Sequence, residues 1–192
     1  MARCAERGVR CVNPAPRATC PVPIAMRRPL PSAILLAPLL LSPAAIRTAA
    51  AQSCTLAQEV VERMNAQRAK VDRRPLVVDA RLTAAAQRHA ADLAAGDLLE
   101  HAGSDGSTPA ARVSEAGYGW TFVSENVAAG YATAEAVVQA WFLSPGHREN
   151  MMSPSPVHVG IGYAFRDSTK YQHYWTVNFG AGPADAEPVA CM

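Results

Sequence analysis

The ten residues Trp141-Phe142-Leu143-Ser144-Pro145-Gly146-His147-Arg148-Glu149-Asn150 combine a helix end, a breaker and polar side chains able to do chemistry. Just upstream, Thr133 with Glu135 nearby opens a helix in which Val137, Val138, Trp141 and Phe142 share the inward side. Ser144-Pro145-Gly146 stops that helix. His147 and Asn150 then follow on a short turn, so a packed helix delivers polar groups to its own end, where rigid scaffolds commonly display function.

Downstream, residues 157–165 and 171–179 are rich in β-branched and aromatic side chains and read as two strands, with Arg166-Asp167-Ser168-Thr169-Lys170 as the turn between them. Upstream, Thr108-Pro109 places a cap and a first-turn proline at the start of a short helix reaching about Ala116. A polar loop, His101-Ala102-Gly103-Ser104-Asp105-Gly106-Ser107, precedes it. Before that loop, Asp79 caps an alanine-rich helix over 81–95 that Gly96 ends, with Leu82, Ala86, His89, Ala90 and Leu93 on its buried side. Leu76-Val77-Val78 is an extended link. Thr55 caps a first helix whose Leu56, Val60 and Met64 recur every four residues. Helices come first and strands last, which predicts an α+β domain with helices against a small antiparallel sheet.

The first fifty residues have a different character. Met26-Arg27-Arg28, the apolar run over 34–46 and the small residues Ala49-Ala50-Ala51 form the basic, apolar and small-residue order of a secretory signal. The run is shorter than the roughly 20 apolar residues of a transmembrane helix and is broken by Pro38 and Pro43. Residues 1–51 therefore read as an N-terminal extension plus a cleaved signal over about 26–51, with Met26 an alternative start, and residues 52–192 read as a single secreted or periplasmic domain. A lipid on Cys54 is a minor alternative, because Ala51-Gln52-Ser53 matches a lipoprotein signal poorly. Seven of the 18 basic residues and one of the 16 acidic residues lie before Gln52, so the remainder holds 11 basic and 15 acidic side chains, a formal charge of −4. That balance gives no support to nucleic-acid binding. Cys54 and Cys191 sit near the two ends of the domain, and in an oxidising compartment such a pair reads as a disulfide, two free thiols being the alternative.

Four motifs in register carry a resemblance to a known family. They are the His101 to Ser107 loop, Ser124-Glu125-Asn126-Val127-Ala128, the stretch from Trp141 to Asn150, and Val159-Gly160-Ile161-Gly162-Tyr163 followed by Tyr174-Trp175-Thr176. Together they resemble the CAP superfamily of cysteine-rich secretory, antigen 5 and pathogenesis-related proteins, and within it the small bacterial extracellular (SCP-like) members. The resemblance implies a three-layer α-β-α sandwich and a cleft where histidines and acidic residues converge. Carried over by position, His101 and His147 match the two cleft histidines and Glu125 the glutamate of the Glu-Asn motif. Ser144 stands where many relatives carry a second glutamate, and Asp105 is a candidate replacement by its nearness to His101.

Two imidazoles with Glu125 or Asp105 are suitable donors for zinc or another divalent metal. The same groups can act as an acid and base pair. They can equally hold loops together, with Asp105 closing an Asx-type turn before Gly106. No serine lies in a nucleophile elbow and neither Cys54 nor Cys191 has a catalytic context. His89 reads as a packed, hydrogen-bonded core residue, and Asn126 and Asn150 as side chains that fix loops. Three functions stay open: a monomeric module binding a lipid or cell-envelope component, a metal-dependent hydrolase of envelope peptide or glycan, and a structural protein without cleft chemistry.

Overall fold

The computed structural model describes the backbone of residues 3–4, 9–12 and 43–183, and side chains from residue 55 to residue 183. In chain order the elements are β1 (Arg3–Cys4), β2 (Val9–Val12), α1 (Pro43–Ala69), β3 (Val77–Val78), α2 (Ala80–Gly96), α3 (Pro109–Glu115), β4 (Phe122–Ala129), α4 (Ala134–Leu143), α5 (Pro145–Met152), β5 (His158–Phe165) and β6 (His173–Ala181). The sheet runs β4-β6-β5-β3, with β1 and β2 both on the outer side of β4. All pairings are antiparallel except β3 on β5, where Val77 faces His158. The expected α+β sandwich is present.

Several local expectations hold for the reasons that generated them. Asp79 accepts from the backbone nitrogens of Arg81 and Leu82, Thr108 from Ala111 and Thr133 from Ala136, so each capping side chain satisfies an orphan donor of its helix. Leu82, Ala86, His89, Ala90 and Leu93 are all buried. The helix ends at Gly96, and the residue after it, Asp97, takes the left-handed conformation of the cap at φ 51°.

Three readings are corrected. Phe122–Ala129 is a full strand and not the loop before α4; consecutive polar residues at Ser124, Glu125 and Asn126 hide it, because a strand buried on both faces shows no alternation. The Thr133 helix stops at Leu143 as expected, but His147 and Asn150 lie on a further helix, α5, and not on a short turn; Pro145 opens it at its first turn, where its missing N–H would have had no partner anyway. Thr55 is not a cap, since α1 begins at Pro43 and runs through the alanine-rich segment, where helix propensity is highest. The helices-then-strands order is accordingly interrupted by β3 and β4.

The two faces of the sheet have separate cores. Val60, Met64, Val137, Trp141 and Met151 from α1, α4 and α5 pack on Val159, Ile161, Trp175, Val177 and Phe179. On the other face α2 and α3 pack through Leu82, Ala85 and Val113 on Val123, while Leu93 and Ala94 meet Val127, Ala129 and Tyr174. All of these core residues lie after Thr55. No helix among the described residues is long and apolar enough to cross a membrane. Cys191 lies outside the described residues and Cys54 outside the described side chains, so the Cys54–Cys191 pairing does too.

The helix α2 approaches β5 closely because glycines occupy the contact. A Cβ on Gly160 would overlap the backbone of Leu82 and Thr83, and one on Gly162 the backbone of Ala86 and Gln87. Gly160→Ala is expected to lower the unfolding free energy by about 3 kcal/mol, at the upper end of overpacking costs, because backbone on both sides must yield. Urea denaturation monitored by circular dichroism measures it, and a change under about 1 kcal/mol would contradict the close packing.

Candidate functional site

Glu125 lies on β4 with its side chain on the α2 and α3 face, and it is fully buried. A carboxylate removed from water must be compensated, and four groups converge on this one. Arg112, from α3, places Nη2 2.9 Å from Oε2, and its other amino group donates to the Ser107 carbonyl at 2.9 Å. His101 Nδ1 stands 2.9 Å from Oε1. Asn178 lies directly opposite on β6, and with its amide nitrogen toward the carboxylate it donates to Oε2 at 3.1 Å. His89 Nε2 is 3.8 Å from Oε1 and bonds the Glu100 carbonyl at 2.9 Å, which makes it the packed, hydrogen-bonded residue expected. Arg112 Nη2 also donates to the His101 carbonyl at 2.9 Å, so one guanidinium ties α3, the His101 loop and β4 together.

On the opposite face α5 is bolted to the same strand by amides. Asn150 Nδ2 donates to Asn126 Oδ1 at 3.0 Å and to the Glu125 carbonyl at 3.3 Å, and Asn126 Nδ2 donates to the His147 carbonyl at 3.1 Å. Both asparagines are fully buried, so they fix an interface between helix and strand, not loops. His147 is thereby held beside β4. Its Nδ1 pairs with Ser144 Oγ at 2.9 Å, which is why Ser144 makes no side-chain cap to α5, and its Nε2 is buried without a partner. Burial pushes the His147 imidazole down to about 4, and the nearby His101 adds to the shift, so His147 is neutral at pH 7.

Asp105 is placed differently. Its carboxylate accepts from the Ser107 backbone N–H at 2.8 Å, the expected Asx turn, and pairs with Arg88 at 2.7 Å on an exposed surface. The Ser107 hydroxyl, the same backbone N–H and the Arg88 guanidinium hold it well below the usual carboxylate range. Arg88 also pairs with Glu115, so Asp105 belongs to a surface network joining α2, α3 and the loop.

This donor set does not fit a bound metal. Among the described residues no three His, Cys, Asp or Glu side chains are grouped to hold an ion. Glu125 is committed to Arg112 and His101 and Asp105 to Arg88, leaving two imidazoles, fewer than the three or four protein ligands of zinc sites. Sequence reasoning missed Arg112 and Asn178. The only signal was register: Arg112 lies on α3 beside the buried Val113, and Asn178 interrupts an apolar strand.

A shallow open groove of about 560 Å³ lies on the outer side of α5, lined by Val71, Arg73, Phe142, Pro145, Arg148, Glu149 and Met152. It has an apolar floor with a basic rim, and Arg148 sits over the Phe142 ring at 5.9 Å.

A three-layer sandwich with a buried glutamate on β4, held by Arg112 and His101, defines the class of domain. The chain belongs to the cysteine-rich secretory protein (CAP) family, whose model matches residues 61–179. It is 34% identical over 122 residues to the uncharacterized protein YkwD of Bacillus subtilis, an alignment covering 64% of this chain and 46% of that protein. The chain thus spans about half the length of that curated relative. An extracellular SCP-domain protein from Bacillus anthracis superposes with a TM-score of 0.62 at 23% identity, over 73% of this chain and 44% of the other. An outer surface protein of Borrelia burgdorferi gives 0.59 at 23% identity, over 65% and 91%. Both are extracellular or surface proteins, and at this identity they establish the fold.

Two outcomes follow from the geometry. Arg112→Met leaves the Glu125 carboxylate buried without its cation and is expected to cost about 3–5 kcal/mol, whereas Arg112→Met with Glu125→Leu costs less than the single change; a double-mutant cycle in urea measures both. His147 takes up protons in the unfolded chain at a higher pH than in the folded one, so its contribution is full above about pH 6.5 and is lost as pH falls toward 4. His89, lowered chiefly by burial, acts in the same sense. Urea midpoints between pH 7 and pH 4 should fall less steeply in His147→Gln than in the wild type.

Proposed function

We propose that the protein is a secreted binding module that holds a cell-envelope ligand at the outer edge of β4, between His101 and His147. The observation that carries this reading is the buried Nε2 of His147, a polar atom without a protein partner on the helix that Asn150 and Asn126 tie to β4. A buried polar group left open in a rigid frame gains most when a ligand supplies its hydrogen bond. The neutral state of His147 keeps that atom free of a charge the site would have to neutralise.

The arrangement favours binding over hydrolysis. Ser144 Oγ meets His147 Nδ1, but Nε2 on the far side of the ring meets no carboxylate, so the third group that orients a catalytic base is missing. Both oxygens of Glu125 are already taken, one by Arg112 and one by His101. The groove on the outer side of α5, away from β4, is a separate apolar surface that a lipid-bearing ligand could use. In the full chain β2 lies along the outer edge of β4, with Val9 opposite Glu125. Export with removal of residues 1–51 uncovers that edge.

Calorimetry on the chain from Gln52 tests the reading with soluble peptidoglycan fragments, a medium-chain fatty acid and zinc chloride as separate titrants. His147→Ala is expected to weaken binding of an envelope titrant about tenfold, the size of one hydrogen bond to a buried group, and zinc to give no stoichiometric site. Equal affinity in the two proteins, or tight stoichiometric zinc, would overturn it.

A further inference from the structure

The outer edge of β4 has a defined polarity. Gly130 N donates to the His173 carbonyl at 2.8 Å, continuing the β4 and β6 register. Because antiparallel residues alternate in the direction of their backbone groups, the even-numbered residues of β4 bond β6, and Val123, Glu125 and Val127 turn their N–H and C=O groups the other way. Side chains already reach two of these outward carbonyls: Asn150 donates to Glu125 and Trp141 Nε1 to Val127 at 3.4 Å. From Phe122 to Glu125 the edge takes another strand, β2, which pairs Val9 with Glu125, Arg10 with Ser124, Cys11 with Val123 and Val12 with Phe122, the Glu125 carbonyl also accepting from Asn150.

We infer that, once residues 1–51 are gone, the ligand of this edge is an extended peptide segment of an envelope partner, added antiparallel to Phe122–Glu125 between the His101 loop and helix α5, with β2 showing its pose. The inference deepens the binding reading above and rests on it. An open strand edge is a template for main-chain hydrogen bonding, so affinity comes from the peptide backbone, while side chains that flank the added strand select among sequences. Here one flank is His101, bonded to Glu125 on the α2 side, and the other is His147, whose buried Nε2 lacks a partner on the α5 side. The strand itself is fixed from both faces, by Arg112 and Asn178 on Glu125 and by Asn150 on Asn126, so the template does not have to be ordered by the incoming chain.

Backbone recognition can be tested by parity. The domain from Gln52, which contains all three core clusters, is titrated with an acetylated peptide of residues 7–14 carrying Cys11→Ser. In this pose the amides at positions 9 and 11 point to β4 and those at 10 and 12 point away. N-methylation at 9 and 11 is expected to weaken binding at least tenfold, and methylation at 10 and 12 less than threefold. Equal losses from the two patterns, or no binding of the unmodified peptide at millimolar concentration, would overturn the inference. It would also fall if sedimentation showed the domain to be a dimer that the peptide splits, since the edge would then belong to a second copy. Retained sensitivity of a peptidoglycan fragment to His147→Ala, in the absence of peptide binding, leaves the broader binding reading standing and removes only this one.

Discussion

A carboxylate with no solvent access sits in the middle of this sheet, and its neutralisation organises the rest. Glu125 is tolerable only because Arg112 reaches it from α3, His101 from the loop after α2 and Asn178 from the neighbouring strand. Each partner comes from a different segment, so satisfying one charge fixes four pieces of chain relative to one another. Arg112 then uses its remaining donors on the carbonyls of His101 and Ser107, which turns a polar loop into a rigid wall. Replacing such a buried pair by apolar residues can be neutral for stability, so its retention here is better explained by the placement of His101 than by the energy of the pair.

The strand that carries Glu125 works on both faces. Side chains alternate along it, so Glu125 engages α2 and α3 while Asn126 engages α5, and the two neighbours bring His101 and His147 to opposite sides of the same edge. The asparagine pair Asn126 and Asn150 does for α5 what Arg112 does for the loop, with neutral amides in place of charge. The site is consequently stiff. The side chains of Glu125, Arg112, Asn126 and Asn150 are spent on one another and on neighbouring backbone. Asp105, close to His101 in sequence, has no part in it because Arg88 holds it on the surface.

Much of this could be read from residue order. The caps at Asp79, Thr108 and Thr133, the buried side of α2 and the two closing strands follow from local chemistry that each segment carries within itself. His101, Glu125 and His147 were identifiable through their motifs. Less legible were β4 and α5: the first looks polar because both of its faces are buried against partners that neutralise it, and the second begins with a proline that equally signals a stop.

The amino-acid sequence by itself determined the class of fold and most of the helical segments, since capping, periodicity and motif spacing are properties of neighbouring positions. The tertiary structure alone decided how the motif residues are surrounded. Which groups lie within 3 Å of the Glu125 oxygens follows from the closed sheet, which brings there an arginine 13 residues away and a histidine 24 residues away. Burial and charge compensation act between segments that meet only when the sheet closes, so no local pattern records them.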